Sequence, residues 1–233
     1  MGNIKENIEK VSKIMEQATL RSGRNKDDVL LCAVTKTRSA EEINEAIRAG
    51  ITDIGENRVQ EIMDKYDSVD PVKWHMIGHL QTNKVKYIID KVDLIHSVDS
   101  IRLAEEINKR AFQHSKVMDI LIQVNSAMED SKFGIAAEDT ESLINEILEN
   151  CPNIRIKGLM CMAPFEFDPK DAAVYFAAVR ELFIKCSKDT RHERLDLSVL
   201  SMGMSNDFEV AIAEGSNLIR VGTAIFGERN YRN

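Results

Sequence analysis

Val29-Leu30-Leu31-Cys32-Ala33-Val34 is a short continuous apolar run; Thr35-Lys36-Thr37 follows it, and Ser39-Ala40-Glu41-Glu42 then carries the Ser-x-x-Glu spacing of a capping box. An apolar run of this length bounded by turn residues reads as a buried strand. The capping box reads as a helix start, and Gly50 marks its end. The unit is strand, turn, helix, with one amine, Lys36, at the C-terminal end of the strand.

The same unit recurs outward from that stretch. Upstream, Ile4, Ile8, Val11, Ile14, Met15 and Ala18 stand at helical spacing over residues 3–22, and Gly23 ends the run. Downstream, strands are expected at residues 53–55, 74–77, 94–97, 117–124, 154–160, 195–200 and 218–221. Helices are expected at 58–65, 84–89, 100–113 with Ser100 as cap, 140–149, from Pro169 in a first turn to 187, and 208–214. Eight strands alternating with helices describe an α/β protein, a single (β/α)8 TIM-type barrel over residues 1–233 with an extra N-terminal helix. A doubly wound open sheet shows the same alternation, but no Gly-x-Gly-x-x-Gly follows the first strand.

Bulk properties narrow the partners. With 233 residues, 43% hydrophobic, the chain can bury a full core. A formal net charge of -7 argues against nucleic acid or an anionic membrane, each of which needs a concentrated basic face. No stretch has the apolar length of a membrane span, and residues 1–6 lack the apolar core of a secretory signal, so an intracellular, cytoplasmic protein is expected. Met1-Gly2 begins like a myristoylation signal, but Glu6 stands where Ser or Thr is required. Cys32, Cys151, Cys161 and Cys186 form no Cys-x-x-Cys pair and read as reduced, buried thiols. His75, His96, His114 and His192 show no metal spacing, so no metal is expected.

In such a barrel the strand ends and the loops after them face one mouth, where polar residues are read as functional. They are Lys36, Asn57, His79, Ser97 with Asp99, Asn125, Met160 with Met162, Ser201 in Ser201-Met202-Gly203-Met204-Ser205, and Arg220 in Arg220-Val221-Gly222-Thr223. The seventh and eighth loops have the composition of an anion cradle, with small residues that let N–H groups approach and hydroxyls that donate. Either loop alone also reads as a turn and helix cap, Lys36 alone as a solvated charge, and His79 as a structural residue. Taken together, an amine and a phosphate cradle on one mouth suit a ligand with an aldehyde at one end and a phosphate at the other, pyridoxal 5′-phosphate. A barrel for another phosphate ester, with Lys36 as counter-charge, is the blander alternative.

The segments Ala33-Val34-Thr35-Lys36-Thr37, residues 53–61 from Asp53-Ile54-Gly55-Glu56-Asn57 to Glu61, and residues 74–84 from Trp74-His75-Met76 to Lys84 resemble the pyridoxal phosphate homeostasis proteins. So do Val124-Asn125 with Glu129, Lys132 and Gly134, Ser201 to Ser205 with Asp207, and residues 220–227. That family is related to the N-terminal barrel of alanine racemase, the fold-type III pyridoxal-phosphate barrel. Ile54 and Thr82 depart mildly from its pattern. The resemblance implies that Lys36 carries the cofactor as a Schiff base, that Arg220 faces the pyridine nitrogen, that Ser201, Gly222 and Thr223 hold the phosphate, and that Asn57 and His79 line the cofactor.

A guanidinium donates and cannot accept a proton, so Arg220 leaves the pyridine nitrogen unprotonated and the ring a weak electron sink. Racemisation also needs a second base, which the resemblance assigns in alanine racemase to a tyrosine from a second domain. Tyr66, Tyr87, Tyr175 and Tyr231 are expected in helices or at the C-terminus, and the counted barrel leaves no length for that domain. The expected protein is therefore a monomeric cofactor carrier or regulator, touching pyridoxal-phosphate enzymes transiently, with a Lys36-dependent amino-acid racemase as the alternative.

Overall fold

The computed structural model describes residues 3–126, 133–164, 168–189 and 192–228. Eight parallel strands, β1 (Leu30–Val34), β2 (Asp53–Glu56), β3 (Lys73–Met76), β4 (Leu94–Val98), β5 (Met118–Gln123), β6 (Ile154–Met160), β7 (Leu195–Ser201) and β8 (Leu218–Val221), pair in sequence order. β8 returns to β1, with Cys32 opposite Arg220, so the sheet closes as a barrel. The expected α/β barrel is the observed fold.

The strand periodicity places every side chain on one of two faces. Leu31 and Ala33 of β1, Ile219 and Val221 of β8 and Ile95 of β4 join the core between sheet and helices. Their neighbours Cys32, Leu218 and Leu94 turn inward and pack with Leu121 and Met160 inside the barrel. The four cysteines are all buried, as expected from their scattered placement. Burial pushes the Cys161 thiol up to about 12 and the Cys32 thiol higher still, so both are inert neutral groups in the barrel wall.

The helices are α1 (Ile4–Arg21), α2 (Ala40–Arg48), α3 (Val59–Lys65), α4 (Ile101–Gln113), α5 (Thr140–Asn150), α6 (Ala172–Asp189), α7 (Phe208–Ala213) and α8 (Thr223–Phe226). Asn3 caps the extra helix α1 by accepting from the Lys5 N–H, and α1 lies against α2, α7 and α8. The capping box at α2 is present in full, with Ser39 and Glu42 bonding each other's backbone N–H. None of the described helices is long and apolar enough to cross a membrane.

Three local expectations need correction. Between β3 and β4 the chain forms a 3₁₀ turn over Thr82–Tyr87, not an α-helix over 84–89. It still buries Val85, Ile88 and Ile89, because over one turn a three- or four-residue apolar spacing serves both helix types. Ser100 stands at the cap position of α4 without a side-chain bond. Pro169 precedes α6, which starts at Ala172, rather than lying within its first turn.

Barrel closure depends on one close approach. A Cβ on Gly158 in β6 would lie 1.7 Å from the Val199 carbonyl oxygen of β7, a backbone atom that cannot turn aside. Gly158→Ala is expected to lower unfolding stability by about 3 kcal/mol through overpacking, measured as a shift of the urea midpoint. A variant as stable as the parent would show that the β6–β7 seam relaxes freely.

Candidate functional site

At the C-terminal mouth a cavity of about 510 Å³ opens among β1, β8 and the loops after β6 and β7. Lys36, Arg220, Gly222 and Thr223 all line it, joined by Ser205, Asn206 and Asp207. Lys36 is half-buried, two residues past the end of β1. Its neighbour Thr37 has φ +65°, a left-handed conformation that a β-branched residue adopts only when held.

The phosphate-type end is built from backbone. Gly222 closes β8, and a Cβ there would press on Val34 Cβ and its carbonyl oxygen at 3.2 Å, so glycine keeps the loop tight against β1. The N–H groups of Gly222 and Ala224 point to one place, where Ser205 Oγ accepts them at 3.3 and 3.5 Å. Thr223 is exposed on the same rim. Asp207 also reaches the cavity, but its Oδ1 is taken by the Met204 N–H at 2.5 Å, closing the turn. Burial pushes this carboxyl up from its ordinary range, against the pull of the Met204 N–H and Arg220.

Arg220 is anchored from inside. Its Nη1 donates to the Ser201 carbonyl oxygen at 2.9 Å and to Ser201 Oγ at 2.5 Å, and its Nη2 to the Cys161 carbonyl oxygen at 2.9 Å. Those three bonds leave two of the five guanidinium N–H groups unused by these partners, on a residue that lines the cavity. Ser201 is thus fully buried beneath the cavity as a support for Arg220, and Ser205 occupies the rim position where Ser201 was expected.

Behind Ser201 runs a chain of buried polar groups that sequence inspection missed. Ser201 Oγ lies 3.1 Å from His96 Nδ1, His96 Nε2 lies 2.9 Å from His75 Nδ1, and His75 Nε2 lies 3.0 Å from Asp53 Oδ1. The hydrogens balance in one arrangement. His75 donates to the carboxylate, His96 donates to His75, Ser201 donates to His96, and Arg220 donates to Ser201. A protonated His75 would reverse the chain and leave the Ser201 hydroxyl hydrogen without an acceptor. Burial, with His75 and Arg220 nearby, lowers His96 well below its ordinary pKa, so the ring stays neutral. Burial alone would raise Asp53, but bonds from His75 and Thr52 hold it below the usual carboxylate range. The available signal was that His75 and His96 fall at inward-facing positions of adjacent strands.

Asn57 and His79 stand apart from this lining. Asn57 Oδ1 is buried without a hydrogen-bond partner, and its backbone is pinned by Gly78, where a Cβ would come within 2.3 Å of the Asn57 carbonyl. His79 is exposed, its ring stacked on Phe133 at 4.0 Å. Tyr66 and Tyr87 lie in 3₁₀ turns and Tyr175 in α6, away from the strand ends as expected. Glu129, Lys132 and Tyr231 lie outside the described residues. The described residues contain no cluster of His, Cys, Asp and Glu able to hold a metal ion.

An amine at the end of the first strand, a cationic donor on the eighth and an N–H cradle beside it define an α/β barrel built for a small anionic ligand. The chain matches the family described as alanine racemase, N-terminal domain, over residues 1–230. It is 43% identical over 231 residues to the pyridoxal phosphate homeostasis protein of Aquifex aeolicus, covering 98% of this chain and 100% of that one. The chain belongs to the pyridoxal phosphate homeostasis protein family. Among solved structures, PipY of Synechococcus elongatus with pyridoxal phosphate bound superposes with a TM-score of 0.81 at 33% identity, covering 96% of this chain and 100% of that one. Alanine racemase from Corynebacterium glutamicum shares the fold alone, with a TM-score of 0.71 at 15% identity over 97% of this chain and 61% of that one.

Proposed function

We propose that this protein binds pyridoxal 5′-phosphate and acts in its intracellular homeostasis as a carrier or regulator, working as one domain, monomeric and cytoplasmic. The observation that carries the reading is the shared cavity, in which Lys36 and Arg220 lie with the Gly222–Thr223 rim. The residues present fit the group. The cavity volume suits a small cofactor, the N–H groups of Gly222 and Ala224 converge on one acceptor position, and Arg220 keeps donors for a ring nitrogen. When bound, the cofactor supplies a reactive aldehyde. Lys36 would hold that aldehyde as a Schiff base, losing water on condensation and regaining it on hydrolysis, which would return the aldehyde to a recipient enzyme during transient contact.

The chain's own residues favour holding over turnover. The chain from Asp53 to Ser201 keeps Arg220 in place as a donor, which discourages protonation of a ring nitrogen beside it. Although neither lines the cavity itself, Asn57, with its unpartnered oxygen, and His79 are assigned to the outer surroundings of the bound ring, and Ser201 to the support of Arg220. Absorbance spectra of the protein with pyridoxal phosphate, before and after borohydride, test the reading. A reducible yellow species unchanged by added amino acids is expected; sustained racemisation that vanishes with Lys36→Ala would favour an enzyme instead. Thr223→Ala is expected to weaken cofactor retention by about 1.5 to 3 kcal/mol, one hydrogen bond to a charged group, and unchanged affinity in an equilibrium titration would remove Thr223 from the cradle.

A further inference from the structure

We infer that Glu56, Lys65 and Glu61 form a positioning clamp for the backbone on both sides of Lys36, and that this clamp sets how readily Lys36 condenses with an aldehyde. The inference rests on the reading of Lys36 as the Schiff-base residue. Glu56, the last residue of β2, is fully buried; its Oε1 accepts from Thr35 Oγ1 at 2.7 Å and from Lys65 Nζ at 2.8 Å. Lys65 Nζ also donates to the Thr35 carbonyl oxygen at 3.1 Å and to Glu61 Oε2 at 2.8 Å. Glu61 Oε2 in turn accepts the Thr37 N–H at 2.6 Å.

Thr35 is therefore held at its hydroxyl and its carbonyl, and Thr37 at its N–H, while Lys36 lies between them. The clamp spans Thr37, among the described residues the one non-glycine left-handed residue next to the cavity, whose φ of +65° costs about 1–3 kcal/mol unless its surroundings impose it. Helix α3 delivers two of the three groups at i and i+4, Glu61 and Lys65, on one face. An ammonium has three hydrogens, and Lys65 spends all three on Thr35, Glu56 and Glu61. With its nitrogen tied into these three bonds it is no competitor for the aldehyde, although it sits next to the segment that carries Lys36. No part of this cluster lines the cavity, so its influence must pass through the direction and freedom of the Lys36 backbone.

Loss of a merely structural ion-pair cluster would lower stability without favouring one ligand over another. The test compares pyridoxal 5′-phosphate with pyridoxine 5′-phosphate, which has the same ring and phosphate but an alcohol in place of the aldehyde. In Glu61→Ala, which frees the Thr37 N–H, covalent capture of pyridoxal phosphate is expected to fall about tenfold, equivalent to about 1.4 kcal/mol, while pyridoxine phosphate affinity stays within about twofold. Glu61→Gln, which keeps an acceptor oxygen for the Thr37 N–H and Lys65, is expected to recover most of the capture. Equal weakening of both ligands, or unchanged capture in folded Glu61→Ala, would overturn the clamp. Absence of a borohydride-fixed adduct on Lys36 in the unmodified protein would overturn the reading beneath it, and the clamp with it.

Discussion

Lys36→Ala is expected to abolish covalent capture of pyridoxal phosphate completely, leaving only weak, reversible binding at the Gly222–Thr223 rim. The reason is positional. Lys36 is the lysine that lines the cavity, half-buried at the end of β1, whereas Lys65 nearby has its three hydrogens engaged. Other lysines such as Lys157, Lys91 and Lys185 do not line the cavity and stand in ion pairs with Asp196, Asp90 and Glu141. Borohydride reduction at equimolar cofactor followed by peptide mass mapping reads the result directly. An adduct on any residue but Lys36, or a yellow species that survives the substitution, would sink the assignment.

The largest expected effect on the fold comes from the interior chain. His96→Ala removes a buried ring, leaves His75 Nδ1 without its partner and leaves the Ser201 hydroxyl hydrogen without an acceptor, while Arg220 still donates to the Ser201 oxygen. The cavity and the unpaired groups together are expected to cost about 3–5 kcal/mol, read from denaturant unfolding. His96→Gln, which keeps an amide in the same space, should lose less. A pH signature separates this from simple packing. The folded protein keeps His96 neutral to well below its ordinary pKa, while the unfolded chain protonates it below about pH 6.5. The unfolded state then binds the extra proton, so stability falls as pH drops through that value, by about 1.4 kcal/mol per pH unit for this group. His96→Gln should lack that slope. If the two proteins lose stability in parallel between pH 7 and pH 5, the neutral-ring arrangement is wrong.

The parts of the molecule legible in the sequence were those governed by short-range rules. Continuous apolar runs marked the strands because both faces of a barrel strand are covered, and Ser39 with Glu42 marked a helix start because both partners lie within one turn. The Thr82–Tyr87 turn was misread for the same reason, since a single turn is too short for its period to separate 3₁₀ from α. The cavity residues Lys36, Arg220, Gly222 and Thr223 were found because chain order places strand ends on one mouth. Ser205 was quoted with its loop but not chosen over Ser201, because which of two serines faces outward depends on where β7 stops and its loop turns.

By itself the sequence determined the alternation of eight strands with helices and the amine and anion-binding loops that follow the strands. Those follow from period and spacing, which local backbone geometry enforces. Only the tertiary structure decided what the inward side chains do to one another. Asp53, His75, His96, Ser201 and Arg220 come from five different strands, and Thr35, Glu56, Glu61 and Lys65 from two strand ends and a helix. Hydrogen bonds act over about 3 Å, and the separations of 19 to 105 residues within the chain from Asp53 to Arg220 become that short only once the barrel has closed and fixed the stagger of its strands.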